Sequence, residues 1–280
     1  MIAVRLRKIK NLEARREKCT DLRIPYELKS FDYRTDDAEE SFLNIDEIFG
    51  RTAPLVMEIG CGKGQFVCEY ARRNPEKNII AVECVPGVLV EACERAKSLS
   101  VPNVKFLEMK AEYLPLFIKE KSVSEIYLNF STPFPKTKHE SHRLTSKGFL
   151  EIYKKILCDD GFIAQKTDNE DFFNYSLESY EANGFAVFEV SRDLHNSGFK
   201  DNIVTEYEQK FADMGMPIFR VVAKPKNNMY FVGDRAAHRP VKIHKESWRH
   251  RRGRRPRQPA KNLVKIQRCA EGESTLQNSR

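Results

Sequence analysis

Between Leu55 and Gly64 the chain reads Leu-Val-Met-Glu-Ile-Gly-Cys-Gly-Lys-Gly, a short apolar run that carries one carboxylate, Glu58, and breaks into glycines at 60, 62 and 64. A helical pattern begins at Gln65, so the stretch predicts a strand, a tight turn and a helix start. Glycine permits positive φ and lets a ligand lie on bare backbone, while the first amides of a helix are unpaired donors. Such a cradle suits a small molecule, with a nucleotide as the default guest. A dinucleotide fingerprint needs Gly-x-Gly-x-x-Gly and a phosphate loop needs Gly-Lys-Ser/Thr. Here Gly64 is followed by Gln65 and Lys63 by Gly64. A ligand without phosphates and with a positive charge fits better, and the sulfonium and ammonium of S-adenosylmethionine would be favoured by Glu58 at the strand end. Glu83 closes the next apolar run, where a carboxylate accepting two hydrogen bonds in a plane would meet ribose hydroxyls.

The elements that must position these residues follow from the apolar pattern. Strands are expected at Leu55–Ile59, Asn78–Glu83, Val104–Met109, Ser124–Phe130, Gly161–Thr167, Ala186–Ser191 and Pro217–Lys224. Helices are expected at Glu39–Phe49, Gln65–Asn74, Val88–Leu99, Glu112–Lys119, Lys147–Leu157 and Asn169–Asn183, the first packing Phe42, Ile45 and Phe49. This alternation predicts an α/β fold, a doubly wound, mostly parallel sheet of about seven strands. The last two runs have no long helix between them, which predicts an antiparallel pair at the edge. Residues 1–24 are basic and too short to form a core of their own.

Charge is unevenly spread. The formal total is +8, yet residues 1–18 hold seven Lys/Arg against two Glu and residues 229–268 hold thirteen against two acids, leaving 19–228 net acidic. Basic ends on an acidic core are what a polyanion partner calls for. In the run Trp248–Arg257, charges interrupted by Gly253 and Pro256 cannot be packed, so 227–280 reads as a basic extension, disordered when free, with Tyr230, Phe231 and Trp248 able to stack on bases. Seven cysteines, odd in number and without a Cys-x-x-Cys spacing, argue against a disulfide framework and a zinc site and fit a reducing cytoplasm. His139 and His142 lie three apart without a third ligand nearby, so no metal is expected. No stretch reaches the ~20 apolar residues needed to span a membrane, and no export leader is visible.

The motifs together resemble a known family. Glu58-Ile-Gly-Cys-Gly-Lys-Gly64 is similar to the first motif of class I S-adenosylmethionine-dependent methyltransferases, with Glu83 at their second acidic position. Tyr127-Leu-Asn-Phe-Ser-Thr-Pro-Phe-Pro-Lys-Thr-Lys-His139 with Arg143-Leu-Thr145, then Lys166-Thr-Asp-Asn169, then Thr205-Glu-Tyr-Glu-Gln-Lys-Phe211, resembles bacterial tRNA (guanine-N7-)-methyltransferases over about 1–224. The resemblance implies a Rossmann-like methyltransferase domain at 51–226, preceded by a basic segment with a lead-in helix at 1–50. It implies S-adenosylmethionine held by Glu58, Gly60, Gly62, Gly64, Glu83, Lys110 and Ala111. It also implies tRNA as partner, met by Lys136, His139, Arg143, Asp168, Thr205 and Glu208, in a cytoplasmic monomer or homodimer.

Guanine N7 has a lone pair and no proton, so its alkylation needs no general base; holding it in line with the methyl carbon supplies most of the acceleration. A carboxylate near the ring would stabilise the positive charge that appears there. In the family's Asp-Pro-Trp-Pro-Lys motif that carboxylate falls where this chain has Thr132, and the Trp where it has Phe134. Thr132 can hydrogen-bond but carries no charge, so Asp168 takes the residual catalytic role beside it. Lys110 stands where the family has Asp or Asn facing adenine, and an ammonium cannot accept from the adenine amine. These departures keep a second reading open, that of a catalytically weakened or inactive tRNA-binding relative.

Overall fold

The structure, a computed structural model, describes residues 10–26 and 41–226. The expected C-terminal extension, with Trp248, lies outside the described residues.

A short helix α1 (Leu12–Glu17) and a second, α2 (Ile45–Phe49), precede the alternating part of the chain. There follow β1 (Leu55–Ile59), α3 (Gln65–Arg73), β2 (Asn78–Glu83), α4 (Pro86–Ser98), β3 (Val104–Glu108), α5 (Leu114–Phe117) and β4 (Val123–Asn129). The second half runs α6 (Lys147–Ile156), β5 (Leu157–Thr167), α7 (Glu170–Ala182), β6 (Phe185–Ser191), α8 (Glu206–Asp213) and β7 (Phe219–Pro225). The sheet has seven strands in the order β3-β2-β1-β4-β5-β7-β6. The expected doubly wound sheet is therefore present. β1 to β5 are parallel, and β7 runs antiparallel between β5 and β6, pairing Thr167 with Phe219 and Phe185 with Pro225.

Alternate residues of each strand serve the two faces. In β1, Leu55, Met57 and Ile59 share a core with Leu150 and Tyr153 of α6 and Phe173 of α7, whereas Val56 packs with Phe66 and Val67 of α3 and Leu89 of α4. Chain order reverses between β1 and β4. In open α/β sheets the crevice beyond the carboxyl ends of the strands at that reversal is where ligands bind.

Four expectations need correcting. The lead-in helix is one turn and a half rather than eleven residues, because Asn44 caps it by accepting from the Glu47 amide and Gly50 ends it in the left-handed region. Ser41 and Leu43 instead donate backbone bonds to Leu116 and Phe117, so Leu43 and Ile48 join the core beside Ile45 and Phe49. β5 begins four residues early, at Leu157, with a register shift opposite Val123. A helix, α8, stands between β6 and β7; it is short and mostly polar, which is why its periodicity was faint in the sequence. Lastly, residues 19–24 are anchored: Cys19, Leu22 and Ile24 are buried, and Leu22 and Ile24 exchange backbone bonds with Phe106 along the edge of β3. Arg15 grips Glu94 through two bonds of 2.7 and 2.6 Å, and Arg16 and Arg23 both reach Glu108.

Gly64 is where the backbone tolerates least. Its φ is +73°, and a Cβ there would lie 2.8 Å from the Cβ of Ala92 in α4, which is itself buried. A Gly64→Ala substitution combines left-handed strain with overpacking, each costing on the order of 1–2 kcal/mol. Urea unfolding is expected to show a loss of about 2–4 kcal/mol, and an unchanged midpoint would contradict this packing.

Candidate active site

The turn after β1 is built on one carboxylate. Gly62 donates its amide to Glu83 Oε2 at 3.2 Å, and Val85 donates to Oε1 at 3.0 Å. Gly60 and Cys61 both donate to the Val82 carbonyl. Glu83 thus ties the glycine loop to the end of β2, and each of its oxygens keeps a lone pair for a further donor. Beside it opens a cavity of about 680 Å³, lined by Gly60, Glu83, Lys110, Ala111, Phe130 and Thr132 among others. It lies at the reversal point of the sheet, and its size is that of a pocket for a nucleoside-sized ligand. Five of the residues expected at the site therefore come together: four expected of the cofactor and Thr132. Gly62 and Gly64 support them from the loop.

Glu58 is placed differently. It is 3% exposed, beneath the loop rather than on the cavity wall. Oε1 accepts from Asn129 Nδ2 at 2.9 Å, while Oε2 is buried without a partner. Burial pushes its carboxyl up to about 8, against the opposing hydrogen bond from Asn129 and the charge of Lys166. Near neutral pH and without a ligand, Glu58 therefore holds its proton. The orphaned oxygen is the observation that fits a cationic guest to this loop.

The loop after β4 is held under strain. Phe130 and Phe134 both have positive φ, at 53° and 42°, in a region that residues with a Cβ rarely adopt. Phe130 donates its amide to the Lys166 carbonyl at 2.8 Å. Arg143 donates from Nε and Nη2 to the Phe134 carbonyl at 3.2 and 3.0 Å, and its guanidinium lies 4.2 Å from the ring centre of Tyr175. Arg143, expected to meet phosphate, therefore also clamps this loop. Lys136 is exposed and free of ion pairs, and His139 is half-buried with its ring 5.8 Å from that of His142. Among the described residues, no group of three or more His, Cys, Asp or Glu could hold a metal ion.

Asp168 follows β5, is half-buried, and forms no ion pair or side-chain hydrogen bond among the described residues. The helix cap belongs to its neighbour Asn169, whose Oδ1 accepts from the Phe172 amide at 2.7 Å. The charge of Asp168 reaches the hydroxyl of Tyr207 on α8 and, after burial, is the second influence raising that phenol. Thr205 and Glu208 turn inward instead of toward a substrate. Thr205 Oγ1 caps α8 by accepting from the Glu208 amide at 3.1 Å. Glu208 is fully buried and accepts from Lys166 Nζ at 2.6 Å, His195 Nε2 at 2.8 Å and Asn202 Nδ2 at 2.6 Å. Burial works to raise Glu208, but Lys166, Asn202 and His195 hold it below the ordinary glutamate value; burial lowers Lys166 against the pull of Glu208.

Sequence reasoning gave no role to Asn129, Lys166 and Tyr207. The signal available was a polar residue at or next to the end of each of two buried strands, Asn129 in β4 and Lys166 in β5, where the apolar pattern predicts none. Gln65 went unassigned as well; its Oε1 accepts from the Glu206 amide, and Arg95 meets the Glu206 carboxylate at 3.2 Å, tying α8 to the glycine loop.

The raised carboxyl of Glu58 sets a sign for pH. The fold favours its protonated form, so between about 4.5 and 8 the native state holds a proton that the unfolded chain releases, and stability falls as pH rises through that window. Glu58→Gln keeps the acceptor for Asn129 and removes the titration. Melts of the two proteins are expected to agree near pH 4.5 and to separate by about 3 kcal/mol or more at pH 8.5, with the variant the more stable. Parallel curves would show that Glu58 ionises normally.

Comparisons with known proteins bear on the same residues. A family model described as "Putative methyltransferase" matches residues 52–221. The tRNA (guanine-N(7)-)-methyltransferase of Geobacillus sp. (strain WCH70) is 46% identical over 179 residues, 64% of this chain and 81% of that protein. Its namesakes in Geobacillus kaustophilus (strain HTA426) and Listeria monocytogenes serotype 4a (strain HCC23) are 48% identical over 177 residues and 44% over 182, spanning 82% and 85% of their lengths. Among solved structures, an antibiotic-related methyltransferase superposes with a TM-score of 0.50 at 16% identity, covering 67% of this chain and 98% of that one, a likeness of fold. With residues 52–221 matched by the family model and more than four fifths of these relatives' lengths covered at 44–48% identity, the chain belongs to the tRNA (guanine-N7-)-methyltransferase family.

Proposed function

We propose that this chain methylates N7 of a guanosine in the variable loop of tRNA, with S-adenosylmethionine as donor. The observation that carries the reading is the continuity of one cavity from Gly60, Glu83 and Ala111 to Phe130 and Thr132. The cofactor supplies an electrophilic methyl group on a sulfonium. Glu83 keeps an acceptor on each oxygen for the ribose hydroxyls. Glu58, beneath the loop, would balance the positive charge of the bound cofactor in its ionised form, its proton passing to solvent. Ala111 walls the adenine end, while Lys110 offers the adenine amine no acceptor, so the amine is met by backbone.

On the substrate side no side chain has to move a proton, because N7 carries none. Asp168, with no partner of its own, supplies the negative charge that the alkylated ring needs, and its oxygens can accept from the N1–H and 2-amino group of guanine. The hydroxyl of Thr132 lies exposed at the cavity rim and orients the base without stabilising charge. Lys136 and His139, on the loop stiffened by Pro133 and Pro135, meet phosphates of the RNA. No helix among the described residues is long and apolar enough to cross a membrane. The six described cysteines form no disulfide with one another, which fits a cytoplasmic site of action.

The test is transfer of labelled methyl to unmodified tRNA, followed by digestion and identification of 7-methylguanosine. Asp168→Ala is expected to lower turnover by about 10²-fold, the usual cost of one charge-stabilising group, with cofactor affinity retained. Thr132→Ala is expected to cost less than about tenfold, since it removes one neutral hydrogen bond. Near-native turnover of Asp168→Ala would sink the assignment, and tRNA binding without 7-methylguanosine in the parent protein would favour an inactive relative.

A further inference from the structure

Tyr207 is a large aromatic left 48% exposed on a helix that is pinned at its first turn. α8 is held by its Thr205 cap, by Glu208 buried against Lys166, His195 and Asn202, and by Glu206 bonded to Gln65 and Arg95. The Tyr207 ring packs 5.0 Å from Phe130 and 4.8 Å from Phe211, centre to centre. Phe130 is also a wall of the cofactor cavity, and its positive φ is maintained by the amide bond to Lys166. Strain of that kind persists only where the surroundings impose it, and it concentrates at functional sites. An aromatic surface thus runs outward from the cavity wall, through Phe130, to the exposed face of Tyr207. The unpaired carboxylate of Asp168 lies within electrostatic reach of the Tyr207 hydroxyl.

We infer that the Phe130–Tyr207 pair is the platform on which the target purine stacks, with Tyr207 the residue that selects a flat base and holds its N7 edge toward the cavity. This inference rests on the guanine-N7 reading above and adds to it the surface that receives the base. A purine presents a π-face to any aromatic ring, so stacking supplies affinity and Asp168 supplies the choice of guanine. Guanine carries its donors, N1–H and the 2-amino group, on the edge away from N7; a base gripped there by Asp168 turns N7 the other way. The pair is set by elements that also hold the cofactor loop, since Gln65 of α3 and Arg95 of α4 are the residues that pin α8.

A purely packing role for Tyr207 predicts that leucine can replace it, whereas stacking requires an aromatic ring. The full chain is assayed as Tyr207→Phe, Tyr207→Trp and Tyr207→Leu, with melting temperature, S-adenosylmethionine affinity, and kcat and KM for unmodified tRNA. Phe and Trp are expected to stay within about threefold of the parent, and Leu to lose about tenfold or more in kcat/KM, the size of one base stack. Cofactor affinity and melting temperature are expected to be unchanged in all three. Activity of Tyr207→Leu within threefold of the parent, or equal losses in Phe and Leu, would each overturn the platform. Absence of 7-methylguanosine from the parent reaction is the separate outcome that overturns the guanine reading and the platform with it.

Discussion

A lysine ammonium and a glutamate carboxylate lie 2.6 Å apart in the interior, 7% and 0% exposed, and neither can be removed without stranding the other. Breaking such a pair by deleting one partner costs about 3–5 kcal/mol because the remaining charge stays buried. Lys166 is the penultimate residue of β5 and Glu208 lies in the first turn of α8, so this one contact ties the strand end that leads to Asp168 to the helix that carries Tyr207. Lys166 also gives its carbonyl to Phe130 and its ammonium to the Ile203 carbonyl. Four segments that are remote in sequence, ending β4, ending β5, leading into α8 and opening α8, are locked at a single point.

The cofactor side is organised by a second carboxylate used in the opposite way. Glu83 is satisfied by backbone amides on both oxygens and makes the loop rigid before any ligand arrives. Glu58, one strand over, is kept short of partners and therefore protonated. A rigid acceptor and a reservoir of latent charge are complementary: the first recognises neutral hydroxyls, and the second responds only to a positive guest. Asn129, which bonds Glu58, is followed directly by Phe130, so the cofactor's charge site and the wall toward the substrate share one strand end.

The departures at Thr132 and Lys110 look less severe in three dimensions than along the chain. Thr132 is exposed at the rim, and Asp168 is free of any ion pair that would compete for it. Alkylation at N7 depends on positioning, and the loop bearing Thr132 is positioned by Arg143 and Phe130 through main-chain contacts that a change of side chain at residue 132 leaves alone. Arg143 thereby sets the shape of that loop.

The sequence by itself determined the alternation of strands and helices, the glycine turn with Glu83 beside it, and the family, because each is written in local spacing: period two for strands, every third or fourth residue for helices, and three glycines where positive φ is required. It also marked Asp168 as a carboxylate at a strand end. Tertiary structure alone decided what each polar side chain does there. Glu208, Thr205 and Arg143 look like ligand contacts in a string of motif residues, yet all three serve the fold, since their partners Lys166, His195, Asn202 and the Phe134 carbonyl are brought to them by chain reversal. Glu58 became a neutral acid, and Tyr207 an exposed face, because burial is a property of the packed sheet and of where α8 is pinned, and no spacing along the chain encodes it.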